Sequence, residues 1–129
     1  RRAGGVRLPP IFEDPGPADG VALKFADAEL MRNTFYNDCS ERDIQVARAN
    51  LIVTNPLPPF IWKTDITPRR YGSVPRTYIE CSDDHALPLA MQRAFQADVP
   101  GAAVKRLATS HSPFFSQPEA LAQLIAELA

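Results

Sequence analysis

The sequence lacks several features that would assign it directly to a class of protein. It has no run of about 18 apolar residues and no charged start followed by an apolar segment, so we expect neither a membrane span nor a signal peptide. It also lacks an excess of either charge, since its 14 Lys and Arg residues are matched by 15 Asp and Glu residues. A basic surface for nucleic acid is therefore not expected.

Cysteine is scarce, and the two residues of this type are Cys39 and Cys81. A single disulfide could join them, but two buried thiols are the commoner arrangement, and we predict two thiols here. Free thiols are typical of a reducing compartment, so we also predict a cytoplasmic location. The sequence contains no C-x-x-C motif and no cluster of His and Cys residues. It therefore predicts neither a metal ion nor an organic cofactor.

The rest of the composition, 45% hydrophobic and 22% charged, is ordinary for a folded domain, but proline is abundant at 13 residues. Residues 1–20 contain four Pro and four Gly, which predicts an irregular loop. The chain begins within this loop and without an initiator Met. We therefore expect a processed chain or a piece of a larger protein, because proteolysis concentrates at exposed loops.

The spacing of apolar residues predicts two helices in the first half of the chain. The first spans Asp27 to Tyr36, and the second begins at Ser40, which forms an S-x-x-D capping box with Asp43. The remainder of residues 1–75 contains Pro-rich loops, and we predict no strand there.

After Pro75 the pattern changes to strand, loop, helix, repeated once. Residues 77–81 and 103–107 predict short strands, and residues 88–97 predict the helix between them. A last helix is predicted after Ser116, which is spaced to form a capping box with Glu119. This order is typical of two consecutive βα units in an α/β fold with a parallel sheet.

Two parallel strands do not form a stable sheet alone, because parallel sheets have several strands and are covered on both faces. We therefore predict that the chain is the terminal part of a larger α/β domain. The alternative is a small α+β domain with strands that the sequence does not reveal.

The candidate chemistry lies in the loops that follow the two predicted strands. The first loop carries Asp83, Asp84 and His85, and the second carries His111. Loops at the carboxyl ends of parallel strands are where α/β proteins hold functional side chains, so an acid and a histidine can meet here. Such a pair is the acid–base half of a Ser-His-Asp triad, although lone loop residues of these types are often only solvated.

Residues 34–129 resemble the C-terminal part of the α/β-hydrolase branch that contains plant methylesterases, polyneuridine aldehyde esterase and hydroxynitrile lyases. The stretches that carry the resemblance are FYNDCS (35–40), YGSVPR (71–76), YIECSDD (78–84) and SHSPFFS (110–116). The resemblance implies that Asp84 is the catalytic acid and His111 the catalytic base. It also implies that residues 1–70 form a helical cap and residues 71–129 the C-terminal part of the core.

The sequence departs from this family in having no G-x-S-x-G motif. The nucleophilic Ser must then come from an N-terminal hydrolase segment that acts as the partner of this chain. Ser112 follows His111, where the resemblance implies a Lys in the lyases. We therefore expect a serine carboxylic-ester hydrolase for small hydrophobic or methyl esters. The alternatives are a hydroxynitrile lyase, a ligand-binding relic without a nucleophile, and a free-standing binding domain.

Large apolar side chains could form the walls of a substrate pocket in such an enzyme. The candidates for substrate binding are Phe60, Trp62, Phe114 and Met91. Phe35 and Phe115 are further candidates, and core packing is the alternative role for each of these residues.

Overall fold

A computed structural model describes five segments of the chain, namely residues 12–13, 22–25, 27–51, 54–56 and 66–128. Its strands are β1 (Phe12–Glu13), β2 (Ala22–Phe25), β3 (Thr54–Pro56), β4 (Arg76–Cys81) and β5 (Ala102–Leu107). Its helices are α1 (Ala28–Phe35), α2 (Glu41–Asn50), α3 (Leu89–Asp98), α4 (Pro113–Ser116) and α5 (Pro118–Ala126). In these segments, no helix has both the length and the apolar character that crossing a bilayer requires.

The two predicted βα units are present, and the α/β fold class is confirmed. Strands β4 and β5 pair in parallel, with Arg76 opposite Ala102 at one end and Cys81 opposite Leu107 at the other. Helix α3 connects them. Both strands begin one residue earlier than the sequence predicted, and both end at the predicted residue.

A second sheet corrects the prediction that residues 1–75 contain no strand. Strands β1, β2 and β3 form an antiparallel sheet in that order. Strand β1 has two residues, and β3 is Thr-Asn-Pro, which contains two residue types that strands disfavour. No local pattern marks these residues as strands, because pairing with β2, rather than intrinsic propensity, places them in a sheet.

The first two helices begin where the sequence predicted and pack around a small core. The Asp27 side chain caps α1 by accepting from the Leu30 amide, and the Ser40–Asp43 capping box at α2 is confirmed. A capping side chain of this kind contributes about 1 kcal/mol to stability. The core cluster consists of Met31, Tyr36, Ile44 and Ala47.

The capping box predicted at Ser116 and Glu119 is wrong. The Ser112 carbonyl accepts from the amides of Phe115 and Ser116, which draws residues 113–116 into the separate short helix α4. Ser116 is thus helical and lacks the extended backbone of an N-cap. Gln117 is the N-cap residue of α5 instead, and its side chain makes no capping hydrogen bond.

A buried carboxylate joins the β4–β5 sheet to α3. Glu80 of β4 is 3% exposed, and its Oε2 accepts from Arg106 on β5 at 2.9 and 2.7 Å. Its Oε1 accepts from Arg93 Nε on α3 at 3.1 Å and from Gln96 at 3.3 Å. The hydrogen bonds from Arg93 and Arg106 outweigh burial and lower the pKa of Glu80 to about 2.

This pKa predicts how stability depends on pH. An unfolded Glu titrates near pH ~4.3, so ionised Glu80 stabilises the fold above that pH, and the contribution is lost as the pH falls towards 2. The Glu80→Gln variant should therefore melt below the wild type at pH 7, and the two melting temperatures should converge between about pH 4.3 and pH 2. Glu119→Gln, at an exposed position on α5, is the matched control. A gap that stays constant across this range would contradict the assignment.

Candidate active site

The centre of the site is a hydrogen bond between Asp84 and His111. His111 Nδ1 lies 2.9 Å from Asp84 Oδ2. The other carboxylate oxygen, Oδ1, accepts from the backbone amides of Ala86 and Leu87, each at 2.8 Å. Asp84 is 7% exposed, so three hydrogen bonds fix a buried carboxylate in one orientation.

The parallel pairing of β4 and β5 explains why these two residues meet. The strands end side by side at Cys81 and Leu107, and the ladder continues past them. The Ser82 amide donates to the Leu107 carbonyl, and the Asp83 amide donates to the Thr109 carbonyl, both at 3.0 Å. The loops therefore leave the sheet together and carry Asp84 and His111 to the same edge.

The contact determines what His111 can do chemically. An ionised carboxylate only accepts hydrogen bonds, so Nδ1 carries the proton and Nε2 keeps a free lone pair. The side chain of His111 is 40% exposed, and its ring is accessible from outside the described chain. The imidazole can take a proton at Nε2 and, once charged, is stabilised by Asp84.

Sequence reasoning assigned no role to two residues that hold these loops, Asn37 and Asp38. They lie in the turn between α1 and α2. The side-chain amide of Asn37 donates to the Asp83 backbone carbonyl at 3.2 Å and to the Asp83 carboxylate at 3.1 Å. Asp38 Oδ2 accepts from the Ser110 amide at 2.9 Å. The only available signal was their position in the FYNDCS stretch, which says nothing about contacts 46 and 72 residues away.

Gln92 is a third residue that sequence reasoning missed. It is 2% exposed on α3, and its side chain accepts from the Cys81 amide at 3.1 Å and donates to the Cys81 carbonyl at 2.8 Å. It also donates to the Leu87 carbonyl at 2.7 Å. The side chain thus ties the end of β4 to the end of the acid loop.

The residues predicted to bind substrate are placed differently from one another. Phe114 is exposed and borders an open cleft together with Asp84 and His111. Met91 is half-exposed on α3 and does not line this cleft. Phe60 and Trp62 lie outside the described residues.

The two further aromatic candidates pack against the core cluster. The Phe35 ring also contacts the His111 ring, with a centroid separation of 5.1 Å. The Phe115 ring meets Tyr36 edge-on, at a centroid separation of 6.0 Å. Phe35 therefore packs against the core and also contacts His111, while its role as a wall of the substrate pocket stays a prediction.

The remaining titratable residues near the loops are peripheral. His85 and Asp83 have side chains 55% and 65% exposed, and His85 Nδ1 lies 2.9 Å from the Asn33 carbonyl oxygen. Both cysteines are free, Cys81 buried and Cys39 partly buried. Burial, with the Asp38 charge, raises the pKa of Cys39 to about 11, and burial raises that of Cys81. In the described segments, no three His, Cys, Asp or Glu residues are grouped to hold a metal ion.

The geometry predicts the effect of Asp84→Asn on the histidine tautomer. The amide oxygen can keep the bonds from Ala86 and Leu87, which turns the NH₂ group towards His111 Nδ1. The proton should then move to Nε2, because Nδ1 must accept. Imidazole ¹⁵N chemical shifts measure this directly. Asp98→Asn, at an exposed carboxylate at the end of α3, should leave the tautomer unchanged. A Nδ1–H tautomer in Asp84→Asn would contradict the assigned contact.

Comparison with known proteins relates the chain to hydrolases, in agreement with the acid–base pair of the site. The chain matches the profile of the Alpha/beta hydrolase family over residues 1–124. It is 34% identical over 104 residues to putative methylesterase 11, chloroplastic, of Arabidopsis thaliana, a match that covers 80% of this chain and 26% of the relative. It is 36% identical over 111 residues to the pyrethroid hydrolase of Sphingobium wenxiniae, covering 85% of this chain and 39% of the relative.

The fold comparison gives the same result. The crystal structure of polyneuridine aldehyde esterase superimposes with a TM-score of 0.75 at 24% identity, over 91% of this chain and 47% of that one. The chain thus spans less than half the length of each of these three relatives. One relative is named as chloroplastic, and the cytoplasmic location of this chain stays a prediction. The resemblance seen in the sequence is confirmed, and the chain belongs to the alpha/beta hydrolase family.

Proposed function

We propose that the chain is part of a serine carboxylic-ester hydrolase in which Asp84 and His111 are the acid and base of a Ser-His-Asp triad. The observation that carries this proposal is the 2.9 Å contact between Asp84 Oδ2 and His111 Nδ1, which leaves Nε2 available. The esterase and hydrolase names of the relatives support it.

In this reaction the Ser hydroxyl attacks the ester carbonyl carbon while His111 Nε2 takes the hydroxyl proton. Asp84 stabilises the resulting imidazolium, and backbone amides stabilise the oxyanion. The C–O bond to the alcohol then breaks, and the alcohol leaves with the proton from Nε2. Water attacks the acyl-enzyme in the same way, which releases the carboxylic acid and restores the Ser.

The nucleophile belongs to a segment outside residues 1–129, because this chain contains no G-x-S-x-G motif. Ser110 and Ser112 are adjacent to His111 but are buried. The Ser110 hydroxyl donates to the Phe35 carbonyl at 3.4 Å and accepts from the Ser112 amide at 3.3 Å. Among the described serines, none is hydrogen-bonded to His111.

The substrates we propose are small hydrophobic or methyl esters. The cleft beside Asp84 and His111 is largely apolar, and the residues that contribute apolar surface are Tyr78, Ile79, Leu87, Pro113, Phe114 and Leu121. We assign residues 1–70 to a cap over the site. Phe60 and Trp62 of this cap, together with Met91, remain proposed contacts with the substrate.

A lyase reaction is the closest rival, since it could use the same acid–base pair. Ser112 follows His111 at the position where the sequence resemblance implies a Lys for cyanide chemistry. Ester hydrolysis is therefore the better proposal. Release of cyanide from cyanohydrins without ester hydrolysis would overturn it.

The role of His111 predicts a large loss of activity in His111→Ala. In the complete enzyme, turnover of a chromogenic carboxylic ester should fall by at least about 10³-fold, because loss of the base stops proton transfer from the Ser. The control is His85→Ala, which removes the other, exposed histidine of this chain and should retain turnover within about twofold. Hydrolysis unchanged by His111→Ala would contradict the assignment.

A serine-reactive fluorophosphonate should locate the nucleophile. After digestion and mass spectrometry, the label is expected on a Ser of a G-x-S-x-G motif outside residues 1–129, and His111→Ala should prevent labelling. A label on a serine of this chain would contradict the proposed division of the triad. Absence of any label would favour the relic that binds ligands without catalysis.

A further inference from the structure

The turn between α1 and α2 touches both loops of the candidate triad. On the acid side, the Asn37 amide binds the backbone carbonyl and the carboxylate of Asp83, at 3.2 and 3.1 Å. Asp83 immediately precedes Asp84. Asn37 therefore holds the acid loop one residue from the carboxylate that orients His111.

On the histidine side, Asp38 Oδ2 accepts from the Ser110 amide at 2.9 Å. Ser110 is completely buried and immediately precedes His111. Burial raises the pKa of Asp38, but the hydrogen bonds that it accepts, those from Ser110 foremost, together lower it by a larger amount. The pKa of Asp38 therefore lies below the usual value for an aspartate. Asp38 is therefore ionised when it accepts from the backbone amide of Ser110, and this hydrogen bond is charge-assisted.

The turn itself is held on both sides by the core. Tyr36 is buried in the core cluster, and the Cys39 amide donates to its carbonyl at 3.0 Å. Immediately after the turn, the Ser40–Asp43 capping box fixes the start of α2. Asn37 and Asp38 are therefore presented from a rigid support rather than from a free loop.

We propose that Asn37 and Asp38 are positioning residues that form a two-point clamp, which sets the separation between Asp84 and His111. Each residue grips the backbone one residue before a member of the pair. The expected effect on catalysis rests on the proposed function, whereas the effect on the Asp84–His111 contact does not. Displacement of a catalytic group by about 1 Å can cost on the order of 10²-fold in rate, so the clamp has a measurable consequence.

The test compares Asn37→Ala, Asp38→Ala and the double variant in the complete enzyme. The two readouts are steady-state kinetics on a chromogenic ester and the low-field ¹H signal of the His111 Nδ1 proton, assigned by its loss in His111→Ala. Asp38→Asn is the conservative variant, because its amide oxygen can still accept from Ser110. Asp27→Ala is the matched control, since it removes the cap at the opposite end of α1 and touches neither loop.

Each alanine variant should lower kcat by about 10- to 100-fold with KM within about threefold, and should weaken or broaden the low-field signal. Asp38→Asn should recover most of the lost rate. The double variant should be little slower than the single variants, because releasing either loop already frees the separation. Asp27→Ala should keep both the wild-type kcat and the signal while it lowers the melting temperature.

Several outcomes would overturn the clamp. One is a kcat within twofold of wild type in both alanine variants, with the low-field signal unchanged. Another is a loss of kcat no larger than that of Asp27→Ala, which would reduce the turn to a structural element. Absence of the signal from the wild type would contradict the underlying contact.

The two readouts separate this inference from the proposed function. If His111→Ala keeps its activity but the signal still responds to Asn37→Ala and Asp38→Ala, the esterase assignment fails and the clamp stands. If His111→Ala is inactive and the low-field signal is unchanged in Asn37→Ala and Asp38→Ala, the clamp fails and the esterase assignment stands.

Discussion

The parallel pairing of β4 with β5 is the constraint on which the site depends. Strands that run in the same direction end at the same edge, so residues 27 positions apart in sequence come within one hydrogen bond of each other. An antiparallel pair would place the two following loops at opposite ends. The Asp84–His111 contact is thus a consequence of topology first and of loop conformation second.

Three buried polar side chains near this end of the sheet, Asp84, Gln92 and Glu80, have their polar atoms hydrogen-bonded, which explains why they are tolerated there. Both carboxylate oxygens of Asp84 accept hydrogen bonds, and the side-chain amide of Gln92 both accepts and donates. Both carboxylate oxygens of Glu80 accept hydrogen bonds, one from each of two arginines. An unpaired charge at such a site would be strongly destabilising. The same network that holds the strands and α3 together therefore also orients the acid.

The sequence predicted β4, β5 and the start of α2 well because its signals there are local. The strands over 77–81 and 103–107 are rich in β-branched and apolar residues, and the Ser40–Asp43 box depends on residues three apart. The sequence could not reveal β1 to β3, whose pairing connects residues 12 and 56 through β2. The local signal for a capping box at Ser116 was misleading, because Ser116 is the last residue of the short helix α4 and cannot cap α5.

The same distinction applies to the site. Asp84 and His111 could be named because each follows a predicted strand, but no pattern of spacing connects Asn37 to Asp83 or Asp38 to Ser110. Those contacts depend on where the α1–α2 turn lies against the two loops, which is a property of the tertiary structure. The hidden Gln92 is similar, since a Gln within a helix ordinarily faces solvent.

Gln92 also has a consequence for how the sheet can grow. The Ser82 amide bonds to the Leu107 carbonyl beside β5, so the backbone groups of Cys81 point to the opposite, open edge of β4. Gln92 occupies both of them. The backbone groups of Thr77 and Ile79 point to the same edge, so a further strand could pair with them but not with Cys81. The side chain therefore ends the ladder at Cys81 for any strand that pairs along this edge.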